Sequence, residues 1–384
     1  MFTPAEFDAI RAYEDRDYVA TIKTLFADEA FRDVLQKLFP NQPLPLLEKQ
    51  LSSFSSILEF QKKFIHGFVT QLIQKTGNGL TLDISALTNR EMPYTYISNH
   101  RDIILDSALL DILLIDAEFP QTVEIAIGDN LLVYPWIKHI VRLNKAFIVQ
   151  RSLSLREMLS ASKLMSRYMH FVISQKKNSI WIAQREGRAK DGNDRTQEAV
   201  LKMIAMDGEG SAAERLKAMH IVPLAISYEF DPCDFLKAKE FQMKRDNPAY
   251  KKTPADDLIN MQTGLAGYKG RIHYACAPCL DEWMAKQEDL SNADFFAATA
   301  RRLDEEIYRN YLLYPNNFVA LDLLNDRKDY ATHYSEEDKT RFEQYLRQQI
   351  NKIDLSNKDE AFLRERLLEM YANPAKNKLA VSKI

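Results

Sequence analysis

The sequence predicts an α/β fold with a central, mostly parallel sheet flanked by helices, and with helical extensions at the N-terminal and C-terminal ends. Two observations predict this class. Between about residues 80 and 285, short apolar or β-branched runs alternate with segments of helical periodicity, which is the pattern of a parallel sheet with crossover helices. On either side, apolar residues recur at helical spacing alone. Because 46% of the 384 residues are apolar and 27% are charged, we expect a folded globular chain.

The chain is predicted to consist of three units. A helical region covers residues 1–79, an α/β domain covers 80–285, and a second helical region covers 286–384. The last helix of the first region has two interpretations: it packs on the domain behind it, or it lies at a membrane surface with its phenylalanines among lipid headgroups. Its apolar residues at helical spacing are Phe54, Ile57, Leu58, Phe64, Ile65, Phe68 and Leu72.

Six strands and three long helices are predicted within the α/β domain. The strands are Tyr94 to Ser98, Thr122 to Ile127, Ala146 to Val149, Ser179 to Gln184, Ile221 to Tyr228 and Arg271 to Cys276. The helices are Ile103 to Ile115, Leu153 to Gln175 and Thr196 to Met206. In such a sheet, polar residues just after the strand ends are the expected site of chemistry.

Composition and charge exclude several functions. A formal net charge of -3 argues against a nucleic-acid-binding protein, since phosphate recognition usually brings a strong basic excess. The first residues include several carboxylates where a secretion signal needs a basic start and an apolar run. No apolar run reaches the roughly 18–20 residues that span a bilayer. We therefore expect a cytoplasmic protein that contacts a membrane only at its surface.

The cysteines predict no metal site. Three are present, Cys233, Cys276 and Cys279, and so few in so long a chain fit a reducing compartment. Cys276 and Cys279 have the spacing of a metal-binding pair, but no second pair accompanies them. We predict neither a metal nor a cofactor.

The clearest chemical signal is His100, at a predicted junction between a strand and a helix. Residues 97–106 read Ile-Ser-Asn-His-Arg-Asp-Ile-Ile-Leu-Asp, so an apolar strand ends in Asn-His and a helix begins almost at once, with Asp102 placed to cap it. A neutral imidazole can accept a proton there, and a carboxylate on its other ring nitrogen would fix the tautomer. Asp106 or Asp102 can supply that carboxylate. The remaining histidines have no comparable acidic neighbour in the sequence and are interpreted as structural.

Three further segments follow in a fixed order. Phe147 to Arg151 places an arginine at the end of a short strand, where a guanidinium can bind a phosphate bidentately. A predicted strand that includes Trp181 is followed by Arg185, Glu186, Gly187 and Arg188. Ile221 to Ile226 is an apolar strand that contains a proline.

With these blocks, the sequence resembles the glycerolipid acyltransferase superfamily, which includes glycerol-3-phosphate and 1-acylglycerol-3-phosphate acyltransferases. That family has four blocks in this order: Asn-His-x4-Asp, Phe-Ile-x-Arg, Pro-Glu-Gly-Thr-Arg-Ser and Val-Pro-x-x-Ile. The resemblance extends from about Tyr94 to Leu280. Phe147 to Arg151 and Val222 to Ile226 match well.

The departures from the family pattern concern the first and third blocks. Five residues separate His100 from Asp106 where the family has four; either a bulge in the first helical turn absorbs the extra residue, or Asp102 acts from the loop. The proline of the third block is replaced by Arg185, and its arginine comes one residue early, as Arg188. These changes indicate a divergent branch whose acceptor can differ.

The resemblance implies direct transfer of a fatty acyl group from a thioester of acyl carrier protein or coenzyme A to glycerol 3-phosphate or a lysolipid. His100 would be the base and Asp106 or Asp102 its partner. The implied substrate-binding residues are Arg151, Glu186, Gly187 and Arg188. The enzyme would belong to phospholipid biosynthesis and lie on the inner face of the cell membrane.

Two other functions remain open at this point. One is acylation of a lysolipid with an amino-acid head group, indicated only by the altered third block. The other is a non-catalytic module that binds lipid or acyl carrier protein. A basic stretch after the fourth block is either a solvated helix face or a contact for anionic lipid or carrier protein; its residues are Lys237, Lys239, Lys244, Arg245, Lys251 and Lys252.

Overall fold

A seven-stranded sheet lies at the centre of the computed structural model, which describes residues 3–151, 153–287 and 289–382. The strands in chain order are β1 (Gly77–Asp83), β2 (Thr95–Ser98), β3 (Glu124–Gly128), β4 (Ala146–Val149), β5 (Ile180–Ala183), β6 (Ile221–Tyr228) and β7 (Gly270–Cys276). Their order across the sheet is β1-β7-β6-β2-β5-β3-β4. The predicted α/β class with a mostly parallel sheet is confirmed.

The direction of the strands changes once across the sheet. Strands β2 to β6 all run parallel to one another, whereas β7 is antiparallel to its neighbour β6 and parallel to β1. The carboxyl ends of β2 to β6 therefore share one edge with the amino ends of β1 and β7. We call this the carboxyl edge, and the other the amino edge.

All six predicted strands are present, and β1 is an additional strand. The chain passes directly from a helix into β1, which contains Gly77 and Gly79 and pairs with β7. Its residues alternate between half-buried and exposed, as expected for an edge strand with one covered face.

Helices cover both faces and both ends of the sheet. Those before β1 are α1 (Asp15–Ala27), α2 (Glu29–Leu38), α3 (Leu44–Ser52), α4 (Ile57–Phe60) and α5 (His66–Thr76), with a π-helical segment at Gln61–Ile65 that joins α4 to α5. Those between strands are α6 (Leu105–Asp116), α7 (Pro135–Leu143), α8 (Leu155–Phe171), α9 (Glu198–Ile204), α10 (Ala212–Lys217), α11 (Asp234–Asp246) and α12 (Pro254–Ala266). After β7 come α13 (Asp281–Met284), α14 (Asn292–Arg309), α15 (Pro315–Asn325), α16 (Glu336–Asn351) and α17 (Glu360–Val381).

The sheet separates two large apolar clusters. Every residue of β2 and β6 is buried, because helices cover both faces of these central strands. One cluster includes Phe147, Tyr168 and Ile182, and the other includes Leu109, Trp181 and Tyr274. This packing fixes the ends of the strands that carry the polar residues described below.

The two helical extensions pack on the domain through apolar clusters of their own. Phe54, Ile57 and Phe60 are buried with α1 and α3, while Val69 and Ile73 of α5 join the cluster on one face of the sheet. The last helices form a further cluster with α11. Among the described residues, no helix is both long enough and apolar enough to cross a membrane. The division into units at residues 79 and 285 stays a prediction, and its outermost residues 1, 2, 383 and 384 lie outside the described part.

Candidate active site

The carboxyl edge of the sheet brings the predicted blocks together. His100 follows β2, Arg151 follows β4, and Glu186 follows β5. Because β2 and β5 are neighbours in the sheet, the segments that follow them emerge about 4.8 Å apart. His100, Arg151 and Glu186 therefore follow strands that end at the same edge of the sheet.

His100 contacts Asp106 rather than Asp102. Nδ1 of His100 lies 2.8 Å from Oδ2 of Asp106, and the same oxygen accepts a hydrogen bond of 2.6 Å from the backbone N–H of Arg101. The Asp106 side chain is 0% exposed, whereas that of His100 is 15% exposed. The carboxylate is thus held inside the protein while part of the imidazole faces outwards.

Asp102 has a different position, as the side chain that caps the start of α6. Its Oδ1 accepts hydrogen bonds from the backbone N–H groups of Ile104, at 2.9 Å, and Leu105, at 2.8 Å. The helix begins only at Leu105, so the extra residue of the first block lies in the turn before the helix, and not in a bulge of its first turn. This turn brings Asp106 round to the imidazole.

Asp102 has a close neighbour on α12. A Cβ at Gly264 would lie 2.1 Å from Oδ2 of Asp102, so only glycine leaves room for the carboxylate. Burial, and next the repulsion of Asp106, raise the pKa of Asp102 above its ordinary value. Sequence reasoning missed Gly264 because the contact joins two segments far apart in the chain.

Asn99 anchors the segment that carries His100 to the middle of the sheet. Its Oδ1 accepts a hydrogen bond of 2.8 Å from the backbone N–H of Ile226, and its Nδ2 donates one of 2.9 Å to the carbonyl of Ile226. The side chain therefore extends the pairing between β2 and β6 past the end of β2. The ring of Trp181 packs edge-on against His100, with 5.8 Å between ring centroids.

A buried ion pair fixes the next residue of the loop. Nη2 of Arg101 lies 3.0 Å from Oδ2 of Asp194, and both side chains are almost fully buried. Burial, the largest single influence, acts to lower the pKa of Arg101, but the combined attraction of Asp194 and other nearby groups outweighs it, and the pKa lies above the ordinary value. Tyr308 of α14 donates a hydrogen bond to the carbonyl of Asp194, and Asn373 of α17 donates one of 2.8 Å to that of Asp191. The C-terminal helices thus hold a loop that supports the His100 segment, which the sequence did not indicate.

Arg151 reaches across the carboxyl edge towards β5. Its Nη1 lies 3.4 Å from Oε1 of Glu186, and its backbone N–H donates a hydrogen bond of 3.2 Å to Asp129. A Cβ at Gly128, the last residue of β3, would lie 2.9 Å from Nε of Arg151. The guanidinium therefore lies over the end of β3 and points to the strand beside β2. It stays partly exposed, and Glu186 is more so.

A comparison with known protein families concerns the part of the chain that carries these residues. Residues 81–227 match the sequence profile of the protein family described as Acyltransferase. Residues 81–227 are an acyltransferase domain. The matched residues contain all four blocks on which the resemblance to the glycerolipid acyltransferase superfamily rests, and they indicate that the protein is an acyltransferase.

Solved structures and curated proteins were also compared. One similar structure is that of the 1-acyl-sn-glycerophosphate acyltransferase PlsC from Thermotoga maritima, with 11% sequence identity and a TM-score of 0.36, over 75% of this chain and 92% of that one. No match is found among curated proteins.

Within the acyltransferase domain, Gly187 and Arg188 lie in the exposed turn after β5 and in the segment that follows it. Gly187 has a φ of +68°, a left-handed conformation that favours glycine. Arg188 turns towards α12, where its Nη2 donates a hydrogen bond of 2.8 Å to Oδ1 of Asn260. Its Nη1 is buried and has no hydrogen-bond partner among the described residues. The known contacts of Arg188 are therefore with α12 and not with the Arg151–Glu186 pair.

The basic stretch after β6 is largely paired within the protein. Lys237 is buried and bonded to Asp231, so it does not belong to a solvated face. Most of the other basic residues also have acidic partners; the pairs are Lys244–Glu240, Arg245–Asp246, Arg245–Asp359 and Lys252–Asp257. Acidic partners thus neutralise most of the positive charge that this stretch has in the sequence.

Two further histidines have carboxylate partners that the sequence did not indicate. Nε2 of His66 lies 2.7 Å from Asp116, and Nδ1 of His220 lies 2.6 Å from Asp281. Both partners are distant in the chain. Both histidines therefore have an acidic neighbour in the folded protein, although they have no comparable one in the sequence.

Proposed function

We propose that the protein is an O-acyltransferase of phospholipid biosynthesis, which transfers a fatty acyl chain from an acyl thioester to glycerol 3-phosphate or 1-acylglycerol 3-phosphate. His100 is the general base in this proposal. The observation that carries it is the His100–Asp106 pair, with its buried carboxylate and partly exposed imidazole, at the carboxyl edge of an acyltransferase domain.

The pair supports a defined protonation state of the imidazole. An ionised carboxylate only accepts hydrogen bonds. Nδ1 of His100 therefore carries a proton and donates the hydrogen bond to Asp106. Nε2 is then free of a proton and can take one from the acceptor hydroxyl as that oxygen attacks the thioester carbonyl. The carbon–sulfur bond breaks, the thiolate leaves with a proton returned from the imidazolium, and no acyl-enzyme forms.

Arg151 and Glu186 are proposed to position the acceptor. The guanidinium is partly exposed and can bind a phosphate bidentately. Glu186 lies close enough to orient Arg151 or to accept a hydrogen bond from an acceptor hydroxyl. Gly187 and Arg188 would shape the same turn, and the buried contact of Arg188 with Asn260 favours a supporting role for it over direct contact with the phosphate.

The decisive experiment is an acyl-transfer assay with purified protein. Thioesters of acyl carrier protein and of coenzyme A are combined with glycerol 3-phosphate, 1-acylglycerol 3-phosphate and a lysolipid that has an amino-acid head group. We expect transfer to a glycerol-phosphate acceptor, and a loss of about 10²- to 10⁴-fold in kcat for His100→Ala. His139→Ala serves as a control. Full activity of folded His100→Ala contradicts the role of His100, and transfer only to the amino-acid lysolipid contradicts the proposed acceptor.

The acceptor site is tested separately with Arg151→Ala and Arg151→Lys. Loss of a bidentate phosphate contact should raise KM for the acceptor much more than KM for the thioester, and lysine should restore only part of it. An equal rise in both KM values argues against acceptor binding by Arg151.

A peripheral position on the inner face of the cell membrane is part of the proposal. Exposed apolar side chains on segments near the carboxyl edge support it; they are Val133, Tyr134, Met158, Leu159 and Ile259. Leu159→Glu is compared with Leu46→Glu in vesicle sedimentation, because the two leucines are 63% and 62% exposed and lie in different regions. We expect only Leu159→Glu to reduce binding. A loss only in Leu46→Glu indicates contact through the N-terminal helices, and no binding by the wild type contradicts the proposed location.

A further inference from the structure

A second group of chemically reactive side chains lies at the amino edge of the sheet, at the opposite end of β6 from the active site. His220 directly precedes β6, and Cys279 and Asp281 follow β7. One potential metal-ligand atom of each residue lies within 4.8 Å of those of the other two. Among the described residues, no other group of three or more His, Cys, Asp or Glu side chains brings its ligand atoms this close together.

The backbone holds the three side chains in place before any ligand arrives. The N–H of Leu280 donates a hydrogen bond of 2.9 Å to the carbonyl of Ile221, and that of Ala277 donates one of 2.9 Å to Pro223. The loop that contains Cys279 and Asp281 is thereby tied to the start of β6. His220 has a φ of +48°, a conformation that residues other than glycine adopt infrequently and that here directs the chain into β6.

Only one of the two carboxylate oxygens of Asp281 has a hydrogen-bond partner among the described residues. Its Oδ2 lies 2.6 Å from Nδ1 of His220. Its Oδ1 is buried and accepts no hydrogen bond from the described residues, although buried polar atoms normally have a partner. The side chains of His220 and Asp281 are nevertheless 30% and 22% exposed, so an ion and a water molecule can reach the group from solvent.

The donor set selects a narrow class of metal ion. A thiolate, an imidazole and a carboxylate are ligands of Zn²⁺ and related borderline transition-metal ions, whereas Mg²⁺ and Ca²⁺ prefer oxygen alone. Three protein ligands leave a fourth tetrahedral position for water. With metal–ligand bonds of about 2.0–2.3 Å, small side-chain movements bring three atoms at these separations onto one ion.

We propose that His220, Cys279 and Asp281 form a binding site for a Zn²⁺-like transition-metal ion, remote from the acyl-transfer site. On binding, the thiol proton of Cys279 passes to solvent, and His220 remains a neutral imidazole whose single proton moves to the ring nitrogen that the ion does not occupy. By linking the start of β6 to the loop after β7, it braces the antiparallel β6–β7 pair. This site does not depend on the proposed substrates.

The test is metal binding by the purified full-length chain, reduced and freed of metal with a chelator. Zn²⁺ affinity is measured in competition with a chromophoric chelator, and Co²⁺ is added to look for thiolate-to-cobalt charge-transfer absorption. We expect one ion per chain. His220→Asn, Cys279→Ser and Asp281→Asn should each weaken Zn²⁺ binding by more than the roughly 10- to 100-fold that loss of an outer-shell partner causes. Cys279→Ser should also abolish the charge-transfer band.

Two variants control for unspecific binding. His66→Asn removes the other histidine–aspartate pair, which has a similar separation of 2.7 Å but is not part of the three-residue group. Cys276→Ala removes the neighbouring thiol, which is buried in β7. Both should keep the affinity of the wild type. Absence of stoichiometric binding overturns the proposal, and so does binding that Cys279→Ser and Asp281→Asn leave unchanged while circular dichroism shows them folded.

Discussion

Two histidine–aspartate pairs stand at opposite edges of the same sheet, and they differ in how each carboxylate is held. At the carboxyl edge, Asp106 is fully buried and its Oδ2 accepts hydrogen bonds from both His100 and the backbone of Arg101. At the amino edge, Asp281 is partly exposed and its Oδ2 lies against Nδ1 of His220. Each carboxylate has a second oxygen without a partner among the described residues, but only Asp281 can be reached from solvent. A cysteine lies near the second pair.

The difference shows that the residues around a histidine–aspartate pair decide what it can do. The Asp106 carboxylate is committed to one orientation and leaves only Nε2 of His100 available, which suits proton transfer. The Asp281 pair is accessible from solvent and has a sulfur atom nearby, which suits metal binding. Substitutions at matched positions can therefore separate the two roles.

The largest effect is expected for Asp106→Asn. If the amide oxygen takes the place of Oδ2, its NH₂ group occupies the position of Oδ1, which is buried without a hydrogen-bond partner and would leave an unpaired donor that costs about 1–3 kcal/mol. The neutral amide also cannot stabilise the imidazolium. We expect kcat to fall about 10²- to 10⁴-fold, measured under saturating substrates.

The matched change, Asp281→Asn, should leave kcat within about twofold of the wild type, because it lies at the other edge and takes no part in proton transfer. Equal losses in the two variants would remove the functional distinction between the pairs.

A smaller effect is expected for Gly264→Ala, which tests the support of the His100 segment. Alanine improves helix propensity by about 1 kcal/mol, but its Cβ would lie 2.1 Å from Asp102, and such overpacking costs about 1–3 kcal/mol. We expect a net loss of stability of up to about 2 kcal/mol together with a lower kcat. Urea unfolding and the transfer assay measure the two.

Gly67→Ala is the control for that substitution, since Gly67 also lies within a helix, α5, and no atom approaches the position of its Cβ within 4 Å. It should be stabilised slightly and stay fully active. A stabilised, fully active Gly264→Ala would show that Asp102 can move without consequence.

A weaker effect is expected for Gly128→Ala. The new Cβ would meet Oδ1 of Asn130 at 2.5 Å and Nε of Arg151 at 2.9 Å, but both atoms are near the ends of flexible side chains, which can shift. We expect KM for the acceptor to rise several-fold with little change in kcat or in KM for the thioester. Steady-state kinetics with each substrate varied in turn measure the three constants. A fall in kcat, or a higher KM for the thioester, would contradict the prediction.

The smallest effect on acyl transfer is expected for His220→Asn. The variant should lose Zn²⁺ affinity and retain kcat within about twofold, since its side chain lies at the amino edge. Metal titration and the transfer assay on the same preparation check both statements. A large fall in kcat with unchanged metal binding would reverse the assignment of the two edges.

The sheet could be predicted from the sequence because its strands are short apolar runs between helices with clear periodicity. The exception was β1, whose first residues, Gly77 and Gly79, have weak strand preference and which is stabilised by pairing with β7. Edge strands of this kind depend on the partner more than on their own residues.

The site was predictable only in part. Block order indicated His100, Arg151 and Glu186, and their strands do end at one edge. The choice between Asp106 and Asp102 could not be made, because it depends on whether α6 begins one residue earlier or later. Asp194 could not be found either, since its contact with Arg101 arises only when distant segments pack together.

The contact between Asn99 and Ile226 has a consequence for motion. Since both polar groups of the Asn99 amide bond to the backbone of a buried strand, the Cα of His100 follows a residue tied to the core instead of one in a free loop. Its thermal displacement should then resemble that of the central strands, and the Ile226 amide should exchange with deuterium as slowly as the sheet unfolds. Under the proposed function, the imidazole of His100 is therefore held in position before the substrate binds.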